Sequence, residues 1–210
     1  MRLWGRGSSI NVQKVLWTLQ ELDLHFEHVE VGGRFGRLDA PGFLAMNPHG
    51  RIPVLEDGGG AIWESNAIVR YLCARYSSGD LCCEDLAERA AQDQWMDWTA
   101  TTLQPAFIGF FWNWYRTPEA RRDAKRCADL LASAHDAFAV LDKALPERAL
   151  GRPAMGDIPM ATLLYRYFTL EIDRPPLPRL EAWYADLCAR PAYRTAVMRP
   201  YDELKGRLAF

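Results

Sequence analysis

Apolar positions in the first part of the chain change period several times, and each change marks an element. Leu3 and Trp4 lie in a short apolar run over residues 2–5, a strand, followed by the polar turn Arg6, Gly7, Ser8 and Ser9. Val12, Val15, Leu16, Leu19 and Leu22 then recur at helical spacing and predict a helix over about residues 11–24, capped by Ser9 or Asn11. From Phe26 the pattern alternates, with Glu27, Val29 and Val31 facing away from Phe26, His28 and Glu30, which is the period of a strand. A glycine loop (Gly32, Gly33, Gly36) leads to Asp39, Ala40 and Pro41, where a short helix begins that ends before Asn47 and Pro48. Residues 52–56 read as a strand, Asp57 to Gly60 as a positive-φ turn, and Ala61, Ile62 and Trp63 as the returning strand. Ser65 is placed to cap a helix carrying Ile68, Val69 and Leu72.

This β-α-β-α-β-β-α order over residues 1–77 is that of a thioredoxin-like domain. Polar residues from Ser77 to Asp80 mark a break, with a linker over residues 78–84. The remainder, residues 85–210, reads as all-helical. Residues 84–114 form a long aromatic helix that Pro105 kinks. Thr117, Pro118 and Glu119 read as cap, first-turn proline and first-turn acid of a helix reaching about residue 145. The basic residues Arg121, Arg122, Lys125 and Arg126 alternate with acids and read as a solvated face. Asp157 introduces a helix to about residue 169, and Leu180, Trp183, Tyr184 and Leu187 form one further apolar stripe. The fold class is therefore α/β plus all-α, an N-terminal thioredoxin-like domain followed by a C-terminal helical bundle.

Composition narrows function mainly by exclusion. Hydrophobic residues make up 49% and charged residues 25%, an ordinary soluble balance, and a net charge of −2 gives no electrostatic reason to expect nucleic acid or anionic membrane. No apolar run approaches the roughly 18 residues of a membrane span and no secretory leader is legible, so a cytoplasmic protein is expected. The five cysteines include no Cys-x-x-Cys, and no histidine pair has ligand spacing, so no metal is expected. Cys82 and Cys83 read as reduced thiols in the linker and Cys73 as core. Gly5, Gly7 and Ile10, with Glu30 further on, imitate a dinucleotide fingerprint. Ile stands where close helix packing wants Gly or Ala, and the following strands form a hairpin, so that reading fails.

Residues 47–66, from Asn47 to Asn66, carry the functional signal. Pro53 stands at the mouth of a strand, where its missing donor is tolerated. A cis Ile52-Pro53 bond would turn the Ile52 amide and carbonyl outward to pair with an extended peptide. The Ile52-Pro53 strand, the glycine turn, the returning strand and Glu64-Ser65 at a helix start together resemble the glutathione-binding half of cytosolic glutathione transferases, in particular serine-type, theta-like bacterial members. The stretches from Ser8 to Lys14 and from Gly151 to Asp157 fall in the family's order, so the resemblance covers nearly the whole chain.

The resemblance implies glutathione as co-substrate, with Ile52 beside Pro53 pairing the cysteinyl backbone and Glu64 and Ser65 holding the γ-glutamyl end. A helix start favours a carboxylate, and Glu64 suits an ammonium. Arg51 or His49 is the cation for the glycine carboxylate, and Asn66 stands where relatives carry arginine. A thiol is little ionised at neutral pH, so a hydroxyl at the first helix start must stabilise the thiolate. Ser9 matches that serine best, with Ser8 as the fallback and Asn11 as an amide donor. Relatives place Ser or Thr where Ala154 stands, so Asp157 either accepts the Ala154 amide alone or is itself the cap. Phe107, Phe110, Phe111, Trp112, Trp114 and Tyr115 are numerous enough to line a pocket for a small hydrophobic electrophile, although aromatic residues at this spacing more often fill a core or a dimer contact, and some of each are expected. Phe35 is a candidate dimer contact, a homodimer being the family habit. The leading function is conjugation of the glutathione thiolate to such electrophiles. Glutathione-dependent peroxide or disulfide reduction, and a non-catalytic interaction module, are the alternatives.

Overall fold

A computed structural model describes residues 1–77, 79, 81, 84–145 and 153–208. The sheet has four strands, β1 (Arg2–Trp4), β2 (Glu27–Val29), β3 (Val54–Asp57) and β4 (Gly60–Trp63), in the order β2-β1-β3-β4. β1 runs parallel to β2 and antiparallel to β3, with Leu3 opposite Leu55, and β4 returns along β3. That reversal is what separates the sheet from a dinucleotide half. Alternation along the strands splits the core. Leu3 and Leu55 face the helices α1 (Ile10–Glu21) and α3 (Ser65–Tyr76), while Trp4, Val54 and Trp63 face Phe43 of α2 (Pro41–Met46).

The predicted elements exist, and their ends move for local reasons. α1 stops at Glu21, short of residue 24, because Asp23 takes φ +52° and the Asp23 and Leu24 amides turn back to the Gln20 and Leu19 carbonyls at 3.2 and 3.0 Å. Ser65 does not cap α3 but is its first helical residue, and Glu64, at φ +70°, is the cap position. The long aromatic helix is built in sections: α4 (Leu86–Trp98), a π turn (Thr99–Leu103), α5 (Gln104–Phe111) and a second π turn (Trp112–Arg116). Pro105 is the second residue of α5, in the first turn after the π turn, where its missing amide bond is tolerated. Thr117 does not open the next helix. Its hydroxyl donates to the Trp112 carbonyl and closes the one before, while α6 (Ala124–Ala144) begins behind Asp123, whose carboxylate accepts the Arg126 amide at 2.9 Å.

α7 (Asp157–Thr169), α8 (Pro178–Ala189) and α9 (Pro191–Ala196) complete the bundle. Leu180, Trp183 and Leu187 are buried as their stripe predicts. One continuous apolar cluster runs from Leu3, Leu16 and Trp17 through Phe107, Phe138, Leu163 and Tyr193, so α1 is packed on both sides. Trp17 meets Tyr193 edge-on at 5.0 Å. Cys73 lies in this core, while Cys82 and Cys83 fall outside the described residues.

At α7 the cap is Gly156, not Asp157, whose carboxylate accepts the Ala154 amide at 2.8 Å. Half of a capping box thus survives without the hydroxyl that Ala154 lacks. Burial pushes the Asp157 carboxyl up to about 6, against the pull of that amide. A folded-state value above the unfolded one means the folded protein holds this proton more tightly, so stability is lost as pH rises through about 6. Asp157→Asn, which keeps the acceptor, is expected to flatten that decline in urea midpoints measured between pH 4.5 and 7.5.

Candidate active site

The turn after β1 is drawn tight against the β3 approach. Gly5, at φ +151°, has no room for a side chain: a Cβ there would lie 2.5 Å from Val12 and 3.3 Å from Ile52. Gly5 of the turn therefore sits against Ile52, whose bond to Pro53 is cis. Asn47 fixes the approach to that bond, donating to the Arg51 carbonyl at 2.8 Å and accepting the His49 amide at 3.0 Å.

The two serines differ in what they are bonded to. Ser8 is almost buried, and its hydroxyl is held between Arg6 (2.7 Å) and the Glu203 carboxylate, while its carbonyl accepts from Arg166 of α7. Ser9 is half-buried and caps α1, its carbonyl accepting the Gln13 amide at 2.9 Å, yet its hydroxyl bonds to none of its own helix's amides. Asn11 accepts from Gln104 at 3.3 Å through its side-chain oxygen. Ser9 thus presents the uncommitted hydroxyl at a helix start, which favours negative charge.

On the other flank, Glu64 is exposed, Ser65 is buried and Asn66 is half-buried at the start of α3. Asn66 donates to the Met96 carbonyl at 3.3 Å, so its amide is tied to α4 as well as facing the site's edge. His49 is exposed and leans edge-on against Trp63 at 5.1 Å, and Arg51 is exposed.

Several charged residues that sequence patterning did not single out complete the surroundings. Lys14, on α1, is 2% exposed and donates to Gln104 at 2.6 Å; burial pushes its ammonium down to about 7, opposed by the charge of Glu64. Arg166 packs over Phe111 and Tyr201, and Arg116 over Trp112. Burial and the Arg6 charge lower both guanidiniums, Arg166 to about 9 and Arg116 to about 10, which leaves each charged at neutral pH. Lys14 falls on the face of α1 opposite the apolar stripe, where a lysine reads as solvated, and the arginines and Glu203 come from distant segments.

The structure divides the aromatic run. Phe107 and Phe111 are buried in the core, Phe110 is buried yet lines with Trp114 a cavity of about 470 Å³, and Trp112 lies under Arg116. The cavity beside the turn, about 350 Å³, is lined instead by Arg6, Ser8, Glu30, Arg34, Phe35 and Glu203 among others. Trp114 and Tyr115 line a neighbouring cavity of about 490 Å³ with Arg122, Tyr165 and Tyr201. Among the described residues no cluster of His, Cys, Asp and Glu has the arrangement to hold a metal ion, and no helix is long and apolar enough to cross a membrane.

Comparison with known proteins matches residues 1–74 to the glutathione S-transferase N-terminal domain. Glutathione S-transferase GstB of Escherichia coli (strain K12) is 42% identical over 204 residues, which is 94% of this chain and 98% of that protein. Glutathione S-transferase 3 of Zea mays is 30% identical over 94% of this chain and 93% of its own length. The theta class glutathione S-transferase from the citrus canker pathogen Xanthomonas axonopodis pv. citri, solved with glutathione bound, superposes with a TM-score of 0.89 at 47% identity, covering 95% of this chain and 97% of that one. A thioredoxin-like sheet, a helical second half and relatives that run the full length agree with one another, and the chain belongs to the glutathione S-transferase family.

Proposed function

We propose that this enzyme joins the thiolate of glutathione to a small electrophile and that Ser9 donates the hydrogen bond that stabilises the sulfur. The observation that carries this is the contrast within the turn: Ser8 is spent on Arg6 and Glu203, whereas Ser9 keeps its hydroxyl at the first helix start. In this reading Asn11 supports the turn through Gln104, and Ser8 holds it against the C-terminal segment. Ile52, next to Pro53, offers its backbone to the cysteinyl unit. Glu64 takes the γ-glutamyl ammonium, while Ser65 and the helix start take the carboxylate. Arg51 and His49, both exposed at the strand's mouth, serve the glycine carboxylate, and Asn66 borders the γ-glutamyl end. The Xanthomonas relative, solved with glutathione bound, supports the co-substrate.

The electrophile belongs in the cavity beside the turn. Its charged lining argues for a small polar electrophile over a purely apolar one, since an apolar molecule would strip water from those groups without replacing their bonds. We place the protein in the cytoplasm as a homodimer with a detoxifying role, as the family resemblance implies. Retention on immobilised glutathione together with conjugation of chlorodinitrobenzene or a haloacetamide is expected. Retention with only hydroperoxide or mixed-disulfide turnover would replace conjugation by reduction. Absence of both retention and turnover would leave an interaction module.

A further inference from the structure

Lys14 is a puzzle of charge. Its ammonium is 2% exposed and its hydrogen-bond partners are neutral amides, Gln104 Oε1 at 2.6 Å and Asn66 Oδ1 at 3.5 Å. Among the described residues no carboxylate lies within ion-pair distance of it. A buried ammonium without a bonded counter-charge is costly, and an apolar side chain at this place in the core would avoid that cost. What surrounds it points to a use. Asn66 is the second residue of α3, Ser65 the first, and Glu64, just before them, is the carboxylate whose charge acts on Lys14. The ammonium therefore lies behind the N-terminus of a 12-residue helix and adds a full positive charge to the partial one there.

Resting on the glutathione reading above, we propose that Lys14 is the buried cation of the γ-glutamyl subsite, and that binding of the ligand's carboxylate at the start of α3 draws a proton from solvent onto the Lys14 amine. It is a positioning residue, acting through the field and through Asn66. The free amine and the ammonium are both populated near neutral pH, because burial pushes Lys14 down to about 7. The arriving carboxylate, at the start of α3, favours the Lys14 ammonium more than the ligand's own ammonium opposes it, since that group is held by Glu64 at the exposed edge.

The other charged groups around α1 are engaged elsewhere. On α3, Arg70 is bonded to Asp93 and Asp97 of α4. On α7, Arg166 is bonded to the Ser8 carbonyl and Asp157 to the Ala154 amide. At α9, Arg190 pairs with Glu21 of α1, and Arg194 donates to the Cys188 and Ala189 carbonyls. Tyr193 of α9 donates to the Ala161 carbonyl. Glu64 remains as the charge that faces Lys14.

The test uses S-methylglutathione, which has no thiol to titrate, binding to the full-length protein and to Lys14→Met. Taking the ratio of the two dissociation constants at each pH cancels the ligand's own ionisation. The wild type is expected to bind about tenfold tighter at pH 6, an advantage that shrinks to within about twofold by pH 9. Lys14→Arg, charged throughout, is expected to keep the advantage at both ends. Calorimetry of the wild type at pH 7, in two buffers of different ionisation enthalpy, is expected to register uptake of roughly half a proton. Repeated on His49→Gln, which removes the imidazole placed at the glycine carboxylate, the same uptake is expected, and this assigns it to Lys14 even where a Lys14 variant fails to fold. A ratio that does not change with pH, or binding without proton uptake, would overturn the role of Lys14 while leaving the glutathione site intact. Failure of the wild type to bind S-methylglutathione at any pH would remove the glutathione reading itself.

Discussion

Ser9→Ala is expected to lower kcat/KM for conjugation by roughly a hundredfold to a thousandfold, the usual cost of removing one donor to a developing anion. Glutathione affinity should change by less than about threefold, since the hydroxyl acts on the thiolate and not on the tripeptide's ends. The absorbance of bound thiolate, followed against pH, is the direct measurement: the variant should require a higher pH to ionise the bound thiol. Ser8→Ala makes the informative partner. Its hydroxyl is engaged by Arg6 and Glu203, so its loss should loosen the C-terminal segment more than it alters thiol ionisation. Equal ionisation in wild type and Ser9→Ala would move the donor to Asn11 or Ser8.

Glu64→Gln should weaken glutathione binding by about tenfold to a hundredfold, the range for a hydrogen bond to a charged partner. The turnover rate at saturating glutathione should hold. Glutamine keeps the shape of the side chain at φ +70° and removes only the charge, so a change in fold is not expected to confuse the result. Titration by isothermal calorimetry reads the affinity directly. An unchanged dissociation constant would place the γ-glutamyl ammonium elsewhere.

What patterning along the chain made legible were features written in consecutive residues. The order of strands and helices, the Ile52-Pro53 corner, and the Glu64-Ser65 start of α3 each lie within one short stretch, where periodicity and turn chemistry act locally. Element ends were less legible because they depend on bonds to particular neighbours. Thr117 resembles a cap, yet its hydroxyl turns back to Trp112, and Asp123 does the capping. The environment of the turn was illegible for a further reason. Glu203, Arg166 and Ser8 are far apart in the chain, and only tertiary packing joins them. Which residues of the aromatic run fill the core, as Phe107 and Phe111 do, and which reach a cavity, as Phe110 and Trp114 do, was illegible because the helical spacing looks the same either way. Lys14 was hidden by the opposite effect: a lysine suggests solvent, and only the packing of α1 on both sides puts it inside.

Packing α1 on both sides also decides how the molecule comes apart. Trp17 on one side of α1 packs on Tyr193 of the terminal helices while the other side packs on the sheet domain, so neither half can shed its partner without exposing a large aromatic surface. Heating should therefore give a single cooperative transition, without a first step confined to one half. Exchanging halves with a distant cousin would fail unless the outward side of α1 were rewritten to suit its new neighbours.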